Sequence, residues 1–239
     1  MNEQRLEGHG WWPYLGPYMG FMVAGQFSTW LPESWALGML VVKPAVPALL
    51  ILHFARKGRY PELRAMRLRP GWLALDILLG IALAVLWMAP YLLVDGLPRP
   101  EAEDGFNPQM AGVSAVGLVF GLRFLGYALV TPLFEELFIR SFVMRVADVY
   151  NRTGDFRKLP IARYTQRSFI ATVVIFTAGH MPWEWWVAVP WVIATNLWFY
   201  LRKDMGSVIA VHASTNAAIL IYVYVVTGGV PGSPLWVFV

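Results

Sequence analysis

The chain has 239 residues, of which 57% are hydrophobic and only 14% charged, and its mean hydropathy is +0.51. Soluble domains carry roughly 25% charged residues, so this composition excludes an ordinary water-soluble globular protein and points to a lipid bilayer. The absence of cysteine excludes disulfides, thiolate metal ligands and a cysteine nucleophile; the net charge of +4 comes from basic residues beside apolar segments, so no nucleic-acid partner is expected.

In chain order, apolar segments cover residues 14–31, 35–54, 72–94, 111–140, 169–181, 185–201 and 207–226. A helix needs about 20 residues to cross the hydrocarbon core, and lipid offers no partner to an open sheet edge. The expectation is an all-α, polytopic membrane helix bundle with about seven to eight transmembrane helices, the first and fifth segments being short. It is read as one integral membrane domain over residues 1–239. Twelve Trp and ten Tyr, many near segment ends, suit interfacial aromatic belts. No cleavable signal is expected, because Glu3, Arg5 and Glu7 make a mixed start and Pro13, Gly16 and Pro17 interrupt the apolar stretch.

Loop charge sets the expected orientation. Arg56, Lys57, Arg59, Arg64, Arg67 and Arg69 follow the second segment; Arg152, Arg157, Lys158, Arg163 and Arg167 follow the fourth; Arg202 and Lys203 follow the sixth. By the positive-inside rule these turns are cytoplasmic, which puts the N-terminus in the cytoplasm and the C-terminus outside, in a multi-pass protein expected in a bacterial inner membrane.

Three polar clusters interrupt the apolar segments: Glu135 and Glu136 with Arg140, Phe176 with His180, and His212 with Asn216. Charge at bilayer depth is costly, so the clusters are expected to share one buried site, in a cavity open to the cytoplasm, with Pro132 kinking or breaking its helix. Glu136 and Arg140, four apart with the acid first, suit an ion pair. Glu135, about 100° further round, is then free to act as a general base. His212 and Asn216 share a helix face and can donate to one oxyanion, while Phe176 walls the pocket. Glu135, His180 and His212 also make a plausible zinc site. Lys43 is expected to snorkel or to pair with a carboxylate such as Asp76, a substrate role being the alternative, and Arg123 to find a partner or a headgroup. The run Gly112-Val113-Ser114-Ala115 reads as small-residue packing with Gly117 and Gly121, and Trp183 to Trp186 as an external interfacial belt.

The motifs Glu135-Glu136-Leu137-Phe138-Ile139-Arg140 (EExxxR), Phe176-Thr177-Ala178-Gly179-His180 (FxxxH) and His212-Ala213-Ser214-Thr215-Asn216 (HxxxN) occur in that order on separate apolar segments. In this the chain resembles the CAAX prenyl protease 2-like (CPBP or Abi) intramembrane proteases, with a family-like core over about residues 111–227. The resemblance implies that Glu135 activates water, His180 assists, and His212 with Asn216 stabilises the oxyanion, with Glu136 and Arg140 orienting. It implies a membrane-associated or lipidated peptide as substrate and favours a mechanism without a cofactor, zinc being the alternative. A second reading on the same fold is a non-catalytic membrane scaffold or bacteriocin-immunity-type protein.

Overall fold

The computed structural model describes residues 9–67, 69–150 and 154–239; Glu3, Arg5, Glu7 and Arg152 lie outside the described residues. Among those described the chain is helical, with no strand. Its principal helices are α1 (Trp12–Ser28), α2 (Ala36–Arg56), α3 (Pro70–Leu93), α4 (Val113–Val149), α5 (Gln166–Ala178), α6 (Trp185–Arg202) and α7 (Met205–Thr227). They follow the seven apolar segments closely. By length and composition α2, α3, α4 and α7 are able to cross a membrane, whereas α5 is a shorter apolar helix of 13 residues.

Local chemistry sets the helix ends. Pro70 opens α3, where a missing N–H costs nothing. Thr165 caps α5 through a reciprocal pair in which Ser168 N donates to Thr165 Oγ1 (3.0 Å) and Thr165 N donates to Ser168 Oγ (3.2 Å). The α6–α7 turn is made in two residues: Lys203 adopts a left-handed conformation (φ +50°), and Asp204 then caps α7 by accepting from Gly206 N at 2.8 Å.

Pro132 does not break α4. The helix runs through it, with π-helical stretches at Phe124–Val130 and Leu137–Val143 on either side of Thr131–Glu136. A wider turn accommodates the proline ring without ending the helix, and such turns recur at functional sites. At 37 residues α4 is on the order of 55 Å long, beyond the roughly 30 Å hydrocarbon core.

Helix α7 lies against α3 at very close range. A Cβ on Gly80 would overlap the Val211 carbonyl oxygen and come within 2.5 Å of Ser214 Cβ, and Thr215 Oγ1 donates to the Gly80 carbonyl at 3.0 Å. Small residues and interhelical hydroxyl bonds are what hold helices together where lipid removes the hydrophobic driving force. At the end of the bundle that carries the basic turns, Asp76 accepts from Ser207 Oγ (2.6 Å) and Trp198 Nε1 (2.8 Å) and pairs with Arg202 (3.4 Å). Lys43 is therefore not its partner: it sits in the first half of α2, toward the opposite end. Gly117 and Gly121 do not pack within the chain either, since a Cβ on each would meet only open space. At that opposite end the last residues fold back. The Phe106 amide donates to the Trp236 carbonyl (3.0 Å), Trp236 Nε1 to the Val230 carbonyl (2.7 Å), and Tyr127 Oη to the Phe238 carbonyl (2.9 Å).

Candidate active site

Helix α4 carries both acids of the first cluster, and the helical turn separates their surroundings. Glu136 is fully buried and its Oε1 accepts from Arg140 (3.2 Å) and from His212 Nδ1 (2.8 Å). Arg140, equally buried, also donates to Thr195 Oγ1 on α6 at 2.6 Å and lies over the rings of Phe176 (5.3 Å) and Trp191 (5.7 Å). The expected Glu136–Arg140 pair is present. His212 is a further partner of Glu136 that the spacing along the chain does not reveal, because it comes from a different helix 76 residues later.

Glu135 points the other way, into a cavity of about 390 Å³ that His180, His212, Asn216 and Phe176 also line. His212 Nε2 is 3.8 Å from Glu135 Oε2, so one imidazole links the two acids. Because a carboxylate only accepts, the 2.8 Å contact to Glu136 assigns a hydrogen to His212 Nδ1 and leaves Nε2 as the cavity-facing nitrogen. The same logic applies to His180: its Nδ1 lies 2.8 Å from the Phe176 carbonyl, so Nδ1 donates and Nε2 of the neutral ring is an acceptor. Phe176 stacks on Trp191 (4.9 Å, 9° between planes) and lies against His180 (4.4 Å), while Trp87 flanks His180 at 5.4 Å and Trp191 flanks His212 at 4.7 Å. Aromatic walls thus fix both imidazoles.

Asn216 is held by the backbone of α4. In the i→i+5 register of the stretch before Pro132, the donor to the Tyr127 carbonyl would be residue 132, and proline has no N–H. Asn216 Nδ2 donates to that carbonyl instead, at 2.8 Å, which leaves one amide hydrogen for the cavity.

The cavity lies at the other end of the bundle from the basic turns. Its lining takes in Met39 near the start of α2, Met181 and Glu184 in the α5–α6 turn, and Phe238. With the basic turns placed in the cytoplasm, a cytoplasmic mouth is the wrong expectation. The Glu pair starts a helical stretch leading to a basic loop, but the space beside it is bounded by the halves of α2, α3 and α7 that lead to the opposite turns. Only the packing of those helices decides this. The belt residues divide as well: Trp185 and Trp186 are exposed, Trp183 packs on Tyr91 (5.3 Å) and Phe238 (5.8 Å), and Glu184 faces the cavity. Burial pushes the Glu184 carboxyl up to about 7; the Met181 N–H that it accepts opposes this, and the Glu135 carboxylate adds to it.

Among the described residues no three His, Asp or Glu side chains converge as a metal-ligand set. Glu135, His180 and His212 line one cavity, and the engagement of each imidazole Nδ1 by the Phe176 carbonyl or Glu136 leaves Nε2 as the free ring nitrogen of both histidines.

Residues 119–218 match the family model of Type II CAAX prenyl endopeptidase Rce1-like proteins. No curated protein and no solved structure matches the chain. The matched span begins in α4, ends in α7 and contains all three motifs, with Glu135, His180, His212 and Asn216. Over residues 119–218 the chain is therefore similar to the Type II CAAX prenyl endopeptidase Rce1-like family, in agreement with the resemblance that the three motifs carry.

Proposed function

We propose that this protein is an intramembrane endopeptidase that hydrolyses a peptide bond of a membrane-associated or lipidated substrate, with Glu135 as general base. The observation that carries this reading is the division of the acid pair: Glu136 is consumed by Arg140 and His212, and Glu135 is left facing a polar cavity beside two imidazoles and an amide. Water placed between Glu135 and His180 Nε2 loses a proton to the carboxylate as its oxygen bonds to the peptide carbonyl carbon. The negative charge that builds on the carbonyl oxygen is met by the free Asn216 amide hydrogen and, when the ring is charged, by His212 Nε2–H. Glu135 then returns its proton to the departing amine as the C–N bond breaks. Arg140 and Glu136 are positioning residues, acting through His212.

Glu135→Gln keeps the shape of the side chain and removes the base, so peptide cleavage by the purified protein is expected to fall by about 10²- to 10⁴-fold with folding and peptide binding intact. Asn216→Ala is expected to cost on the order of 10²-fold in turnover with little change in affinity. A Glu135→Gln protein with full cellular activity would overturn the peptidase reading in favour of a scaffold. Cleavage measured with and without a chelator tests the zinc alternative; the mechanism written here requires equal rates.

A further inference from the structure

At the end of the bundle that carries the basic turns lies a pocket of about 150 Å³, separate from the cavity of Glu135. Arg67 and Arg69 of the loop before α3, Trp72 of the first turn of α3, and Arg202 and Asp204 at the α6–α7 turn line it. Asp204 fastens the two segments together: its Oδ2 accepts from the Arg67 backbone amide (2.8 Å) and its Oδ1 from the Gly206 amide (2.8 Å). Both of its oxygens are engaged by backbone, and none of the three guanidinium groups lies within ion-pair distance of it. Arg202 is fixed as well. Its guanidinium lies over the Trp72 ring at 4.0 Å, and its Nε and Nη2 reach Asp76 (3.4 and 3.5 Å), which leaves Nη1 with no acceptor among the described residues.

The Arg67 and Arg69 side chains are exposed and make no hydrogen bond or ion pair among the described residues. Three arginines against two carboxylates, Asp76 and Asp204, leave this corner with a net charge of +1. The surface leading away from it is apolar. Trp198 Nε1 donates to Asp76 Oδ1 at 2.8 Å, so these two positions face each other across α3 and α6, which run antiparallel. Counted from them at about 100° per residue, Trp72 and Leu75 on α3 and Leu197 and Leu201 on α6 fall on the same side of the seam. All four are exposed, by 40% to 67%. An open apolar seam that ends at converging guanidinium groups matches the division of a phospholipid into acyl chains and phosphate.

We propose that this pocket binds the phosphate of an anionic phospholipid whose acyl chains lie along the seam between α3 and α6. Arg67, Arg69 and the free Nη1 of Arg202 donate to the phosphate oxygens, which suit the planar guanidinium fork. The net positive charge selects against a zwitterionic headgroup, whose ammonium would meet the same arginines. A lipid held there ties the loop before α3 to the α6–α7 turn, alongside the Asp204 clamp, and so steadies the start of α7, the helix that carries His212. The site lies outside the catalytic cavity and does not depend on the peptidase reading.

The test uses the full-length protein in detergent with added dioleoyl phosphatidylglycerol, dioleoyl phosphatidylcholine or inorganic phosphate. Native mass spectrometry measures the lipid retained, and a thermal scan reads the midpoint. Phosphatidylglycerol is expected to be retained where phosphatidylcholine is stripped, and it alone is expected to raise the midpoint. Arg67→Gln combined with Arg69→Gln spares the hydrogen bond to Asp204, which uses the backbone amide, and is expected to weaken phosphatidylglycerol binding roughly 10- to 30-fold. Lys57→Gln combined with Arg163→Gln removes the same charge from exposed positions outside the pocket and is expected to leave that affinity unchanged. Equal loss in the two double variants overturns the site, because the arginines then act only as part of a diffuse basic surface. Equal retention of the two lipids by the unmodified protein overturns it without any variant. Inorganic phosphate that raises the midpoint as far as phosphatidylglycerol does also overturns it, by assigning the pocket to a soluble anion.

Discussion

The burial of Arg140 is offset by a carboxylate at 3.2 Å, a hydroxyl at 2.6 Å and the faces of two aromatic rings. Removing one member of a buried charge pair leaves the other uncompensated, at a cost of about 3–5 kcal/mol. Arg140→Ala is therefore expected to lower the thermal midpoint in detergent as well as cleavage; a midpoint equal to that of the unmodified protein would move Arg140 onto the substrate. The Glu136–Arg140 pair was legible in the sequence because a four-residue spacing is a helical neighbour relation. Thr195 was not. It satisfies itself through the Trp191 carbonyl (2.9 Å), so nothing in an apolar run marks it as a partner of an arginine 55 residues earlier. Asp76 was misassigned for a related reason: its charge announces a need for a partner, but Arg202 and Lys43 are both available in the chain, and only the packing places Arg202 beside it.

Among the helices, α4 and α7 supply Glu135, Glu136, Arg140, His212 and Asn216, and α3 backs α7 at Gly80. Gly80→Ala puts a methyl group where the Val211 carbonyl and Ser214 now sit, so α7 must move away from α3 and carry His212 out of reach of Glu136. The expected result is a lower thermal midpoint together with cleavage reduced at least tenfold, on the order of what a displacement of about 1 Å costs a catalytic group. Equal midpoints for Gly80→Ala and the unmodified protein would show that the close approach is not required. Helix positions were readable from hydropathy, because each segment meets lipid or core along its whole length. The course of α4 was not: a proline inside an apolar run is compatible with a break, a kink or a π-turn, and the choice depends on whether a neighbour such as Asn216 can take up the freed carbonyl.

For the whole molecule, the sidedness of the cavity is open to direct measurement, since the chain has no cysteine. Met181→Cys, at the cavity end, and Tyr164→Cys, in the basic loop before α5, replace side chains that are 60% and 62% exposed. With the basic turns in the cytoplasm, a membrane-impermeant maleimide is expected to label the first in intact cells and the second only after permeabilisation. The reverse pattern would turn the cavity to the cytoplasm and break the positive-inside rule. Composition and hydropathy by themselves determined the bilayer as solvent, the helical class and the order of the helices, because each depends on local transfer of side chains and backbone into lipid. The three motifs pointed to the residues that come together. Which acid is consumed and which is free, that His212 joins both, where the cavity lies, and that Arg67, Arg69 and Arg202 converge on one pocket were decided by tertiary structure alone. Those facts depend on distances between helices far apart in the chain, and spacing along one helix carries no information about the angle or depth at which another meets it.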